Sequence, residues 1–326
     1  MAERSSIFQT IQMGVETTPG TSVAANRKMQ GISIAPSPQV EIDAFKPAGS
    51  KFTTITQLGK DWTQAAISGR PLYSEIVYAL SSVLLAATPT SLGGVPVAYS
   101  WLFEPTQSAS DTPKTYTIEH GDGRAGKFTY GLFTELGIVV NRSECTLSGS
   151  LLGQSYTDGI TLTAGPTAQT LDPVYPTHWT IYSDTTSGGL GTTKLGRVLE
   201  MEWRIASRWG TVWPIDASLA SFAAHVEIEP ALTLRLKVEA DVNGMAWLAR
   251  ARDGATRWVR AEAIGSVISG ANNRRLRIDQ ACKVMNVNQF SDEDGVYAME
   301  FVLAGVHDAT WGKNVSVSVQ NDVAAL

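Results

Sequence analysis

The chain has 326 residues, enough for about two ordinary domains at roughly 150 residues each. Apolar residues make up 43%, charged residues only 17%, and the net charge is -5. These values exclude bulk disorder and offer no electrostatic attraction for nucleic acid at the outer surface.

The longest apolar stretch, residues 76–87, is far short of the roughly 20 residues of a membrane span, so no membrane insertion is expected. Cys145 and Cys282 make no disulfide framework. No basic, apolar leader opens the chain, and synthesis in a reducing cytoplasm is expected.

The opening residues carry Gly14, Thr17, Thr18, Pro19, Gly20 and Thr21 with no sustained period, and read as an arm. Short strands are expected at 31–34, 40–45, 51–58 and 61–68, with a Pro47-Ala48-Gly49 turn making 40–58 a projecting hairpin. Residues 72–87 form the clearest helix: Pro71 precedes it, Tyr73, Ile76, Val77, Leu80 and Leu84 recur at helical spacing, and Pro89 stops it. A Pro- and Gly-rich loop covers 88–115. Strands are expected at 115–120, 127–141 and 144–152.

Only Asp158, Asp172, Asp184 and Lys194 are charged between Cys145 and Gly196, a stretch rich in Thr, Ser and Gly that reads as a linker or long loop. Strong alternation follows at 198–207 and 232–242, as in half-buried antiparallel strands. Residues 243–253 admit two readings. Asn243-Gly244 and Asp253-Gly254 would make two hairpin turns around a strand. Residues 245–252 lack any β-branched side chain, Asp241 can cap the start, and Arg250 and Arg252 suit a C-terminal turn; a helix is expected. Strands at 256–264, 274–287 and 295–305 complete the chain.

The expected fold is mainly β with a minor α component: an antiparallel β-sandwich or barrel with a flanking helix. Its two halves share an element order of strands, one helix, then three strands. The segments are an arm (1–28), a first β half (29–155), a linker (156–196), a second β half (197–308) and a C-terminal arm (309–326).

The patterns that catalysis or metal binding requires are incomplete in this chain. Gly121-Asp122-Gly123-Arg124-Ala125-Gly126 matches a dinucleotide fingerprint, but strand-like Lys127-Phe128-Thr129-Tyr130 follows where a helix is required. His120, His178, His225 and His307 lack metal-site spacing. Asp292-Glu293-Asp294-Gly295 opens like a calcium loop, but its twelfth position is Leu303. No enzyme activity, metal or cofactor is expected. Arg250, Arg252, Arg257, Arg260, Arg274, Arg275 and Arg277 read either as a phosphate or inter-subunit surface or as solvated element edges. Trp203, Trp209 and Trp213 read as core or interface anchors.

The opening Gly14-Val15-Glu16-Thr17-Thr18-Pro19-Gly20-Thr21 resembles the start of tail tube (major tail) proteins of long-tailed bacteriophages. Ala66-Ile67-Ser68-Gly69-Arg70 before the helix, and Asp292-Glu293-Asp294-Gly295-Val296-Tyr297 before a strand and His307-Asp308, are similar to that family. The resemblance implies a tail-tube-type sandwich or barrel assembled into rings. The rings stack into a hollow tube that delivers DNA to the host. It implies self-association in rings of six, or of three if the chain is duplicated. Tape-measure, tail terminator and distal tail proteins would be its partners, with DNA passing unbound through the lumen. The place of work would be the virion tail, assembled in the host cytoplasm.

Contact candidates between subunits and rings are Ile7 and Phe8 in the first arm and Phe45, Lys46, Lys51 and Phe52 at the hairpin. Arg250, Arg252 and Trp311 are further candidates late in the chain. The alternative is a β-sandwich binding module, such as a tail-associated adhesin or a receptor- or glycan-binding protein, motivated by the tryptophans. Scattered carboxylates are all that speak for a hydrolase.

Overall fold

The computed structural model describes residues 6–326 apart from residue 294. Residues 1–5 of the expected arm and Asp294 of the calcium-like loop therefore lie outside the described residues. The fold is mainly β, with a large, mostly antiparallel sheet and a small second one.

In the first part of the chain the elements are β1 (Thr10–Val15), β2 (Arg27–Met29), β3 (Ile32–Phe45), β4 (Ile55–Gly69) and α1 (Ile76–Val83). Then come β5 (Thr90–Gly93), β6 (Ala98–Phe103), β7 (Tyr116–Gly121), β8 (Ala125–Asn141), β9 (Cys145–Gly153), β10 (Thr157–Ile160) and β11 (Thr167–Ala168). The later part has β12 (Trp179–Asp184), β13 (Val198–Ala206), β14 (Trp209–Val212), β15 (Ala224–Glu227), β16 (Ala231–Glu239) and α2 (Val242–Asp253). It ends with β17 (Arg257–Ser269), β18 (Asn272–Val287), β19 (Ser291–Glu293), β20 (Val296–Gly305) and β21 (Val315–Asn321).

Several expectations need correction. The first arm is largely sheet: β1 lies between β2 and β7, with Gln12, Met13 and Gly14 buried. Leaving it out would expose the ladder groups of β7 to water on that edge. The C-terminal arm is also sheet. β21 runs between β18 and β6, and its β-branched Val315, Val317 and Val319 are buried. The expected linker supplies β12, which pairs with β17 and buries Ile181. The Pro-rich loop supplies β6, where Trp101 and Phe103 enter the core.

The helix is shorter than 72–87. Leu72 bridges to Pro173, and the carboxylate of the turn residue Glu75 accepts from the backbone N–H groups of Gln30 (2.7 Å) and Gly31 (2.9 Å). All eight α1 residues are buried. The second helix forms as expected, and Asp241 Oδ1 accepts from Gly244 N–H at 2.8 Å. The four short strands expected between 31 and 68 are two long ones, continuous through Pro36, Pro38 and Gly59, with a bulge where the β3 partners step from Val40 to Ile42.

A structural repeat organises these strands. β3–β4–β9–β8 pair side by side, α1 packs on β8, and β7 pairs with β8. β13–β16–β20–β18 pair in the same order, α2 packs on β18, and β17 pairs with β18. The outer neighbours correspond too, β1 on β7 and β12 on β17. One irregularity recurs at an equivalent position as well. In the first repeat Phe133 and Glu135 face Leu151 and Ser150, skipping Thr134. In the second, Val284 and Asn286 face Leu303 and Val302, skipping Met285. Bulges at equivalent positions are specific features of a strand pair. The repeats join where β13 adds to the free side of β8, and one hydrophobic cluster spans both.

Candidate self-assembly surfaces

The distal half of the β3–β4 hairpin carries a run of exposed apolar side chains. Val40, Ile42, Phe45, Phe52, Ile55 and Leu58 are all exposed, Phe52 at 72% and Leu58 at 73%. Partners across the ladder such as Ile42 and Leu58 share one face, while Phe45 and Ile55 share the other. Each face of the hairpin therefore exposes apolar side chains to water, with Asp43 and Gln57 beside Phe45 and Ile55, a pattern that marks an interaction site. The tip is ordered locally. Ser50 N–H donates to Pro47 O (3.1 Å), Thr54 N–H donates to Phe45 O (3.1 Å), and Lys51 Nζ sits 5.4 Å above the Phe52 ring.

The expected contact residues separate into groups. Phe45, Lys46, Lys51 and Phe52 are brought together at this tip and are exposed. Ile7 and Phe8 are exposed in a short turn before β1. Arg250 turns inward: its guanidinium lies 4.8 Å from the Trp247 ring and donates to Ser183 Oγ at 3.4 Å, whereas Arg252 is exposed. Trp311 is half-buried in a turn, its N–H donating to Asp308 Oδ1 (2.6 Å). Val40, Ile42, Ile55 and Leu58 were missed because each belongs to an ordinary strand alternation. Only the length of the hairpin, beyond the reach of the core, exposes them.

Five of the seven late arginines, Arg257, Arg260, Arg274, Arg275 and Arg277, pair with carboxylates of the same chain. Arg260 forks onto Asp279 (2.6 and 2.8 Å), Arg277 onto Glu262 (2.9 and 2.6 Å), and Arg274 lies between Asp172 (3.0 Å) and Asp322 (2.9 Å). Trp203 and Trp209 are buried; Trp209 donates to Ser82 O (3.0 Å) and has Arg208 stacked on its ring at 4.9 Å. Trp213 packs edge-on against Trp62 and Phe222. The Gly121–Gly126 segment is the tip of the β7–β8 hairpin and opens no helix. Among the described residues no cluster of His, Cys, Asp and Glu has metal-binding geometry.

The face of the sheet opposite the core is polar. On β3, β4 and β9 it presents Ser33, Ala35, Ser37, Gln64, Ser68 and Ser148. On β13 and β16 it presents cross-strand ion pairs: Lys237 with Glu200 (3.7 Å), Arg235 with Glu202 (3.6 Å), and Arg204 with Glu135. A hydrogen bond from Lys237 to Glu293 (2.6 Å) holds its ammonium above the usual lysine range. Each of these cations is matched, so the face offers little net attraction to a polyanion.

No protein-family model matches the chain, and no curated protein aligns with it at significance.

Proposed function

We propose that this chain is a structural subunit that assembles with copies of itself into stacked rings. The rings form a hollow tube of the kind found in the tails of long-tailed bacteriophages. The observation that carries the reading is the projecting hairpin with exposed apolar side chains on both faces. Such a surface favours self-association, and its place beyond the core suits a contact with the next ring.

The repeat adds support for three subunits per ring, each supplying two similar sectors of wall. The matched charges of the polar sheet face suit a lumen through which DNA passes unbound. Tape-measure, terminator and distal tail proteins would be partners, and the assembled tail the place of work. The protein would act as wall and conduit, not as an enzyme.

Deletion of residues 44–51 tests the role of the hairpin. The deleted protein is expected to fold, with an unchanged β-type circular dichroism spectrum, and to stay unpolymerised at concentrations where the intact protein forms tubes. Normal tubes from the deletion would refute it.

A further inference from the structure

The two repeats are not equally covered. β10 continues β9 along one edge of β8, with Gln154 N–H donating to Thr129 O at 2.9 Å, so β7 and β13 share the opposite edge. On β18, β17 occupies the edge equivalent to that of β7, but its ladder stops at Cys282. From Lys283 to Val287 the strand has β20 on its other side and no neighbour on this one among the described residues. The place taken by β13 in the first repeat is thus vacant in the second. Conversely β3, the counterpart of β13, has only β4 beside it among the described residues.

We infer that β3 of one copy adds to the vacant edge of β18 and the segment after it in the next copy, reproducing between chains the β8–β13 seam within the chain. This rests on the reading of the protein as a ring-forming subunit and names the surfaces that close the ring.

The register follows from the repeat. Pro36 faces Ala65, which faces Leu151; Trp203 faces Leu234, which faces Leu303. Since Leu151 and Leu303 are equivalent, Pro36 corresponds to Trp203 and Ser37 to Arg204. Arg204 faces Gly137, and the residue equivalent to Gly137 is Asn288, one past Val287. Asn288 N–H donates to Glu300 O (2.9 Å), across the same ladder where Gly137 faces Ser148. Ser37 of one copy should therefore lie opposite Asn288 of the next.

Burial differs as this seam requires. Met201, Trp203 and Ile205 are buried, while their counterparts Ile34 and Pro36 are half-buried and Pro38 is exposed. Across the gap Met285, Phe290 and Tyr297 are exposed, the last at 74%. Pro36 and Pro38 have no N–H, and residues two apart address the same edge. The intact β4 register places both missing donors on the open edge. Their carbonyls remain to accept from the incoming strand. The seam between chains thus carries fewer hydrogen bonds than the internal one, and the prolines deter unspecific edge pairing. The contact is head-to-tail, joining two different edges of the chain, and repeated use generates a ring if the rotation closes.

Cysteine cross-linking tests the seam. Ser37→Cys protein and Asn288→Cys protein, each exposed at the new thiol, are purified separately, concentrated, and oxidised alone or mixed. Cys145 and Cys282 are buried and serve as the wild-type background. Disulfide-linked dimers from the mixture, and none above the wild-type level from either alone, are expected. A mixture of Gln39→Cys with Asn288→Cys, two residues out of register, should give none. Tubes without cross-links in the in-register mixture would overturn the seam and leave the tube reading standing. Cross-links without tubes would keep the seam and overturn the tube. Absence of both, with melting unchanged from wild type, overturns the seam. Should either variant misfold, Ala35→Cys with Ser291→Cys probes the same register two residues along and is judged by the same outcomes.

Discussion

Glu16 shows what one residue does in this fold. Its buried carboxylate accepts from Gly20 N–H (2.8 Å), Thr115 Oγ1 (2.8 Å), Thr117 Oγ1 (3.0 Å) and Tyr130 N–H (2.9 Å). The opening Gly14-to-Thr21 motif is therefore a clamp, tying the turn after β1 to β7 and β8. Its glycines have steric reasons: Gly20 has φ +81, and a Cβ on Gly14 would come within 2.3 Å of Ala24 O. Glu16→Ala leaves these donors unpaired and should destabilise by on the order of 3 kcal/mol, read as a lowered urea midpoint. Glu16→Gln should recover part of that loss, and a midpoint unchanged by Glu16→Ala would contradict the clamp. The sequence showed Glu16 as one letter of a motif; its four partners come from three separate segments, which spacing along the chain cannot reveal.

His120, His178 and His225 hydrogen-bond the hydroxyls of Tyr156 (2.8 Å), Tyr73 (3.0 Å) and Tyr130 (2.9 Å). Burial holds all three below the ordinary 6.5, with Asp172 opposing that shift at His178. The unfolded chain takes up protons near 6.5 while the folded chain resists them. Stability is thus full above about pH 6.5 and falls as the pH is lowered through the depressed folded values. The melting temperature should drop between about pH 7.5 and about pH 5.5, and His225→Gln should lessen the drop. A flat profile over that window would contradict the assignment.

At the scale of elements, alternation was a reliable guide where one face of a strand is buried. β13 and β16 lie where their patterns placed them, and α2 formed where the lack of β-branched residues pointed. Composition misled elsewhere. β12 and β6 sit in neutral, Gly- and Pro-rich surroundings that masked short strands; β1 read as an arm because its Gly- and Thr-containing segment has no sustained period, and β21 because the tail-tube resemblance implies a C-terminal arm. Their pairing is long-range, a tertiary property that local composition does not carry. The hairpin was legible in kind but not in extent. Because its apolar side chains touch water, Phe45→Ser with Phe52→Ser should change stability by no more than about 0.5 kcal/mol, yet strongly reduce polymerisation. Loss of the cooperative melt, or undiminished tube formation by the double variant, would count against the hairpin as a docking element.

At the scale of the molecule, the repeat was visible in the sequence only as an order of elements. The matching bulges at Thr134 and Met285, and the vacancy beside Lys283 to Val287, emerged from strand register. The low charge fraction has a related physical reading. A subunit covered largely by copies of itself has less surface to keep in water, and the neutral serine face of the first repeat and the apolar hairpin fit such cover. The central claim is assembly into tubes with two similar sectors per chain. Electron cryomicroscopy of concentrated protein, seeded with the tail's initiator complex where needed, tests it most directly. Hollow tubes of constant width, whose rings hold three chains in six similar sectors, are expected; a persistently monodisperse monomer, or tubes whose rings do not show two similar sectors per chain, would refute this mode of assembly.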